Sequence, residues 1–149
     1  MSTSVHIPRK KPYRWKGVPL LAYKAEGGTH FRDITRQVLF DEEPEGVQLR
    51  YFEVAPGGHS TLEWHVHSHA VVILRGRGRA LVGKSIVRLG THDLLRVPPR
   101  TWHQFRAGSR EPLGFLCVVR TKRDKPRRPT PAHIARLSAD PAVARFLRV

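Results

Sequence analysis

Short apolar segments separated by glycine and proline turns fill the middle of this 149-residue chain, and they restrict its fold more than any other feature. PGG (56–58) and GRG (76–78) are the clearest turn signals. This pattern predicts an all-β antiparallel sandwich or barrel, for which a jelly roll is one solution. The segments with the length and composition of strands are VQLRYFEV (47–54), STLEWHVH (60–67), AVVIL (70–74), RALVG (79–83), SIVRLG (85–90), DLLRVPP (93–99), WHQFRA (102–107) and LGFLCVVR (113–120).

Helix is expected only near the C-terminus. Thr130 before Pro131, and Asp140 before Pro141, each combine an N-cap side chain with a proline at the first helical position. These signals predict two short helices that pack against the sheet or against a partner subunit. Their expected packing residues are Ile134, Leu137, Val143, Phe146 and Leu147.

The formal net charge of +15 is concentrated at the two ends of the chain. Residues 1–24 contribute +6 and residues 120–149 contribute +7, whereas the body between them contributes only +2. Basic, proline-containing ends are typical of solubilising or interaction tails. Nucleic acid is not the expected partner, because the body offers no helix-turn-helix and no aromatic base-stacking platform. The predicted organisation is a basic N-terminal arm (1–24), a β-barrel (25–120), and a basic linker with C-terminal helices (121–149).

Cysteine content and hydropathy indicate the cellular environment. Cys117 is the single cysteine, so no disulfide can form within the chain, and its apolar neighbours predict a small buried hydrophobe. The longest apolar run, residues 70–74, is far below the ~20 residues that cross a bilayer. We therefore expect a cytoplasmic protein that is not inserted in a membrane.

Metal-binding side chains are concentrated in LEWHVHSHAVVILRGRG (62–78), where Glu63, His65, His67 and His69 occupy every second position. Four such side chains in seven residues exceed what a solvated strand face usually carries. Metal binding is therefore favoured over an exposed polar face as the interpretation of this segment.

The same stretch resembles the first motif of the cupins, a family of small β-barrels, which is written G(X)5HXH(X)3,4E(X)6G. In a gapless register two of the three ligand types are exchanged, since glutamate stands first and histidine last. An alternative register that pairs His65 with His67 leaves out Glu63 and needs a hairpin two residues shorter. We prefer the gapless register, in which residues 66–68 form the turn and His67 points toward the rim or solvent. In that register the motif positions are filled in order by Gly57, Glu63, His65, His69 and Gly76.

The second cupin motif, G(X)5PXG(X)2H(X)3N, resembles HDLLRVPPRTWHQFRA (92–107). Pro98 and His103 match the motif, while its two glycines and its asparagine are replaced by His92, Arg100 and Ala107. We interpret His92 as a turn residue. Together the two motifs extend the resemblance over about residues 45 to 120.

The resemblance implies a double-stranded β-helix, or jelly-roll barrel, that binds one divalent metal ion per chain. Residues i and i+2 of a strand project to the same face, so Glu63 and His65 would face the interior together. A hairpin would bring His69 beside them, and His103 would arrive from a later strand. This donor set suits Fe, Mn, Ni, Cu or Zn and does not select among them. His67 is the less favoured alternative ligand.

The family does not fix the reaction, because cupins include dioxygenases, isomerases, decarboxylases and binding domains. We expect a metal-dependent oxidoreductase that applies dioxygenase-type chemistry to a small, oxygenated and anionic organic substrate. No separate catalytic base is evident. The alternative is a non-catalytic metal- or ligand-binding cupin that serves as a sensor or storage module. A homodimer is the expected assembly, with HFRDITRQVLF (30–40) able to lend a strand to a neighbour.

Overall fold

An antiparallel sheet curled into a half-barrel forms the body of the protein in the computed structural model, which describes residues 5–149. The predicted all-β jelly-roll class with short C-terminal helices is confirmed. The strands are β1 (Arg9–Lys11), β2 (Arg14–Trp15), β3 (Leu21–Ala22), β4 (Arg32–Glu42), β5 (Val47–His59), β6 (His69–Arg75), β7 (Gly78–Val82), β8 (Ser85–Leu89), β9 (Leu94–Val97), β10 (His103–Ala107) and β11 (Leu113–Arg120), followed by helices α1 (Pro131–Leu137) and α2 (Pro141–Phe146).

Strand β5 joins the two halves of the curled sheet. The main strand order is β8-β7-β10-β5-β11-β6-β9, with β4 also paired to β5 and β3 to β4. Residues 47–54 of β5 lie antiparallel to β11, whereas His59 at its far end pairs with Arg106 of β10. Because one strand bends from one neighbour to another, the sheet wraps around an interior. The segment predicted to reach a neighbouring subunit lies mostly in β4, which pairs with β5 of its own chain.

Strand β10 shows how the sheet separates its two faces. His103, Phe105 and Ala107 are buried on the inner face. Gln104 and Arg106 alternate with them and donate hydrogen bonds of 2.6 Å to backbone carbonyls of the C-terminal segment. The period of two along a strand therefore lets one short segment line the interior and also hold the helices on the outside. The interior apolar core consists of Ile34, Phe52, Val54, Val71, Ile73, Ala80, Leu89, Val97, Phe105, Ala107, Leu113, Phe115, Cys117 and Val119.

The two C-terminal helices begin where their caps predict. The Thr130 hydroxyl accepts a hydrogen bond from the backbone N–H of His133, and the Asp140 carboxylate accepts from those of Ala142 and Val143. The helices pack on the outer face of the sheet in a second apolar cluster. No helix within residues 5–149 is long and apolar enough to span a bilayer. The buried members of this outer cluster are Leu62, Leu81, Leu137, Val143, Phe146 and Leu147.

Backbone conformation supports the second motif despite its missing glycines. His92 and Arg100, which replace them, have φ values of +75° and +53°. This left-handed region is the one that glycine adopts most easily, so both side chains occupy positions where the backbone conformation matches the motif. The interpretation of His92 as a turn residue is confirmed, since it lies in the turn before β9.

Two local predictions were wrong. Residues 60–67 are not a strand, because they make only single bridges, from Glu63 to His103 and from Trp64 to Arg127. The chain then turns toward Asp124, whose carboxylate accepts hydrogen bonds from the backbone N–H groups of residues 66 and 67. PGG (56–58) lies inside β5 rather than in a turn, where Gly57 at φ +76° makes the strand irregular.

The described part of the N-terminal arm packs on the sheet. Tyr13 stacks on Tyr51 with 5.9 Å between ring centroids, and Trp15 meets the same ring edge-on at 5.6 Å. Gln37 Nε2 donates a hydrogen bond of 2.9 Å to the carbonyl of Tyr13. These contacts hold residues 13–15 against the sheet, whereas residues 1–4 of the predicted arm lie outside the described residues.

Candidate metal centre

Three histidine side chains converge inside the half-barrel. His65, His69 and His103 each offer a nitrogen, and the three nitrogens lie within 4.8 Å of one another. His69 is the first residue of β6 and His103 the first of β10, while His65 lies on the extended segment that follows β5. The structure therefore brings together three of the four side chains that the sequence nominates as ligands.

Hydrogen bonds on the far sides of two rings set their tautomers. Nδ1 of His65 lies 2.7 Å from the carbonyl oxygen of His67, and Nδ1 of His103 lies 2.9 Å from that of Thr101. A carbonyl oxygen can only accept, so both Nδ1 atoms carry a proton and both Nε2 atoms keep a lone pair. Since Nε2 of His65 lies only 2.6 Å from Nε2 of His69, at least one lone pair is directed at the centre of the cluster.

Burial keeps these imidazoles neutral. It lowers the pKa of His65 and of His103 to about 4 each, and it holds the pKa of His69 still further below the usual range. For His65 and His69 the charge that His103 would carry lowers the pKa further. Metal ligation needs deprotonated imidazole, so the site presents its donors ready at neutral pH. Nitrogen lone pairs from three uncharged rings fit a divalent transition-metal ion.

Glu63, the fourth predicted ligand, is held beside the cluster by a lysine. Its Oε2 lies 2.6 Å from Nζ of Lys24, and both residues line the same cavity as the histidines. Its backbone pairs with that of His103 through two hydrogen bonds of 3.0 and 3.2 Å. The carboxylate is therefore next to the histidine cluster but neutralised by an ammonium group, and its role as a ligand stays a prediction.

His67 lines the cavity and does not point at solvent, so the solvent alternative of that expectation was wrong. The residue is 8% exposed and its ring stacks on that of His65, with 3.7 Å between centroids and 5° between planes. Its Nδ1 lies 2.8 Å from Oδ1 of Asp124, an ion pair when the ring is protonated. Burial opposes ionisation of Asp124, but hydrogen bonds from the backbone of Val66 and from His67 lower its pKa to about 2. With its Nδ1 bonded to Asp124 at the ring edge and its face stacked on His65, His67 is a neighbour of the cluster and lies outside the group of three converging nitrogens.

A cavity of about 300 Å³ opens beside the histidines. Cys117 lines it, with Sγ at 3.1 Å from Nδ1 of His69. The predicted burial of this cysteine is correct, and burial raises the pKa of its thiol. Its prediction as a mere apolar residue missed the contact with His69, because strand pairing across β11 and β6 is not readable from the local sequence.

Three arginines on the cavity wall were also missed. Arg36, Arg50 and Arg123 line the same space as the histidines. One signal was available for Arg50, since it alternates with Phe52 and Val54 and so occupies a core-facing position of its strand. An arginine on the buried face of a strand is costly unless it serves a purpose.

Known proteins similar to this chain include one protein family and relatives with at least 46% identical residues. Residues 50–119 match the family model described as a cupin domain. A relative from Rhodospirillum rubrum named 1-methylthio-D-xylulose 5-phosphate methylsulfurylase is 56% identical over 140 residues, which cover 94% of this chain and 90% of that protein.

Two crystal structures show the same architecture. A cupin 2 conserved barrel domain protein from Rhodopseudomonas palustris is 46% identical and superposes with a TM-score of 0.91, covering 97% of this chain and 99% of its own. A cupin-2 domain protein from Rhodospirillum rubrum is 54% identical with a TM-score of 0.85, covering 95% and 94%. The likeness therefore extends beyond the motif region to nearly the whole chain.

Proposed function

The chain belongs to the cupin family, and from that membership we propose that it is a metal-dependent enzyme that removes the methylthio group of 1-methylthio-D-xylulose 5-phosphate. The substrate comes from the name of the relative at 56% identity. The dioxygenase chemistry expected from the sequence has no support in that name. The non-catalytic alternative is disfavoured for the same reason, because the name describes an enzyme.

The observation that carries the proposal is the contact between a thiol and a histidine cluster inside one cavity. Sγ of Cys117 lies 3.1 Å from His69, whose other ring nitrogen lies 2.6 Å from that of His65. A methylthio transfer needs a group that accepts sulfur, and a ketose needs a group that polarises its carbonyl. Cys117 is the candidate sulfur acceptor, and a metal ion held by the histidines is the candidate for polarising the carbonyl. Only the ring of His69 would separate the two.

His65, His69 and His103 would hold the metal ion, with Glu63 as the fourth ligand if Lys24 releases it. When bound, a divalent ion supplies Lewis-acid polarisation of a carbonyl oxygen, here the C2 carbonyl of the ketose. The carbonyl groups of His67 and Thr101 keep two of the rings in the tautomer that leaves Nε2 free for this role. Lys24 and Glu63 offer a polar wall to the sugar hydroxyls.

Cys117 is the acceptor that we assign to the methylthio group. A bond forms between Sγ and the methylthio sulfur while the bond from that sulfur to C1 breaks. The electron pair of the broken bond stays on C1, where the neighbouring carbonyl delocalises it, and the thiol proton ends on C1 to complete a methyl group. A small thiol as co-substrate then restores Cys117 by thiol–disulfide exchange and leaves as a mixed methyl disulfide.

The test is turnover of 1-methylthio-D-xylulose 5-phosphate by the full chain, loaded in turn with each candidate metal and supplied with a small thiol. We expect loss of the methylthio group by proton NMR in the absence of O₂. The Cys117→Ser variant should lose turnover yet keep its metal content, whereas the metal-stripped protein should lose turnover and regain it on reloading. Absence of conversion with every metal would reject the proposal, and consumption of O₂ with the same substrate would restore the oxygenase prediction.

A further inference from the structure

The cavity that holds the imidazoles also carries a cluster of positive charge on its wall. It is formed by Arg36 on β4, Arg50 on β5 and Arg123 after β11, all of which line the cavity. Arg50 is only 9% exposed as a residue. We refer to these three side chains as the arginine cluster.

The arginine cluster lacks acidic partners at ion-pair distance. None of the ion pairs found among residues 5–149 includes any of its three members. Nε of Arg36 and Nε of Arg50 are buried without a hydrogen-bond partner. Arg50 is buried, and Arg36 and Arg123 are half-buried. Guanidinium groups removed from water are normally paired, so three of them on one cavity wall without an ion pair favour an anion from outside the chain.

Neutral groups hold the cluster in place. Arg123 donates through Nη1 to the carbonyls of Arg120 and Thr121, at 2.8 and 3.2 Å, and through Nη2 to Oε1 of Gln48 at 3.2 Å. Arg50 lies over the ring of Phe52, with 4.8 Å from Cζ to the ring centroid. These neighbours are uncharged, so they fix the positions of the two side chains without neutralising their positive charges.

Burial and mutual repulsion both disfavour the charged guanidinium groups of the cluster. Burial lowers the pKa of Arg36 and of Arg123, and the charge of Arg50 lowers both further. Glu26 and Asp41 act in the opposite direction, on Arg36 and Arg123 respectively, without reversing the shift. The ligand-free cavity is therefore electrostatically unfavourable, and a dianion between the guanidinium groups would relieve it.

The cluster adjoins the proposed reaction centre. Arg50 and Cys117 are directly opposite each other on paired strands, and Nη2 of Arg50 lies 3.5 Å from Sγ. Arg36 is opposite Phe52, the next inward residue of β5, and so lies farther from the thiol. A ligand that starts at Cys117 would have Arg50 beside its first atoms and could extend along the wall toward Arg36.

We infer that the arginine cluster is the subsite for the phosphate group of a sugar-phosphate substrate, with Arg36, Arg50 and Arg123 as its ligands. The identity of that anion as the C5 phosphate rests on the proposed function. A phosphate monoester carries a charge of about −1.5 to −2 at neutral pH, and guanidinium groups bind its oxygens by charge-assisted hydrogen bonds. With C1 beside Cys117, C5 is the far end of the five-carbon chain, and Arg36 is the member of the cluster that lies farther from the thiol than Arg50.

Two measurements on the full chain test the subsite. The first is calorimetric binding of inorganic phosphate to metal-free protein, which excludes phosphate bound at the metal. The variants Arg36→Gln and Arg123→Gln should each weaken this binding about tenfold or more, whereas Arg88→Gln, an exposed arginine on β8, should change it less than about twofold. The second is steady-state turnover, in which the two cavity variants should raise KM with little change in kcat.

Thermal melting separates binding from a structural role. Removal of one like charge from the cavity wall should leave the melting temperature of ligand-free Arg36→Gln equal to or above that of the wild type. Phosphate should raise the melting temperature of the wild type and of Arg88→Gln but not of Arg36→Gln. A ligand-free melting temperature well below that of the wild type would assign Arg36 to the scaffold and overturn its role in the subsite.

The two proposals fail in different ways. If phosphate binding depends on the arginines but no turnover is found, the anion subsite stands and the proposed reaction fails. If turnover is found and neither cavity variant changes KM or phosphate binding, the subsite is wrong and the reaction stands. Equal binding of phosphate by all three variants would likewise reject the subsite.

Discussion

The two faces of the curled sheet are built from the same strands but carry opposite kinds of chemistry. Inside, three neutral histidines, a thiol and three arginines share one cavity. Outside, the C-terminal helices cover a continuous apolar cluster whose polar groups are satisfied by hydrogen bonds to the backbone. Strand β10 belongs to both faces, through His103 on the inside and Gln104 on the outside.

The two faces differ in how many of their buried polar groups have a hydrogen-bond partner within the protein. Under the helices the outer face pairs its buried polar side chains Gln104 and Arg106 with backbone groups, so this part of the face contributes stability without ligands. The inner face leaves guanidinium nitrogens and imidazole lone pairs without protein partners, which costs stability and supports the proposed sites for a cation and an anion. This division predicts that inner-face substitutions change ligand binding and that outer-face substitutions change the free energy of unfolding.

The largest expected effect is on metal content. His103→Ala removes one of three converging donors, so metal affinity should fall at least about 100-fold and turnover should become undetectable. The melting temperature of the metal-free protein should change little, because the lost ring borders a cavity. Elemental analysis after dialysis measures the metal, and His59→Ala, whose side chain is not among those that line the cavity, is the matched control. Full metal retention by His103→Ala would contradict the histidine site.

A large loss of stability is expected at the outer cluster. Phe146 is 1% exposed, and the guanidinium groups of Arg79 and Arg106 lie over its ring at 5.6 and 5.1 Å. Phe146→Ala should lower the free energy of unfolding by about 3–5 kcal/mol, from lost burial and the cavity left behind. Urea unfolding measures it, with Val149→Ala, 67% exposed, as a control within about 0.5 kcal/mol. Loss of metal by refolded Phe146→Ala would show that the two faces are coupled.

The sequence predicted most of the fold because its signals are local. Strand length, turn residues and the Thr130 and Asp140 caps are encoded within a few residues, and the motif spacing fixed which histidines meet. The pairing of Glu63 with Lys24 joins residues 39 positions apart, and the arginine cluster draws on three separate elements. Such contacts depend on the curl of the sheet, which no short window of sequence contains. The burial of His67 was missed because its partner, Asp124, lies 57 positions later.

An intermediate loss of stability is expected at Gln104, which is fully buried on the outer face of β10. Its Nε2 donates to the carbonyls of Ser60 and Arg148, and its Oε1 accepts from the N–H of Arg148 at 3.0 Å. Gln104→Met keeps the volume but leaves these backbone groups unpaired, at a cost of about 1–3 kcal/mol in the free energy of unfolding. Gln104→Glu keeps the acceptor and loses the donor, so hydrogen exchange at Arg148 should separate the two contributions. Wild-type stability in Gln104→Met would mean that water replaces the side chain.

The smallest effect is expected at the N-cap of α2. This cap lies on the outer face, so its loss should change stability without changing ligand binding. Oδ1 of Asp140 accepts from the backbone N–H of Ala142 at 2.8 Å and of Val143 at 3.4 Å. Asp140→Ala should lower the free energy of unfolding by about 0.5–2 kcal/mol, and Asp140→Asn should recover most of it because the amide oxygen still accepts.

Helix α2 has only six residues and adds Val143 and Phe146 to the outer cluster, so loss of its cap should raise amide exchange at Ala142 and Val143 first. The metal content and the affinity for inorganic phosphate should equal those of the wild type. A cap variant that unfolds no more readily, or one that loses metal while its helix stays protected from exchange, would contradict the separation of a stabilising outer face from a ligand-binding inner face.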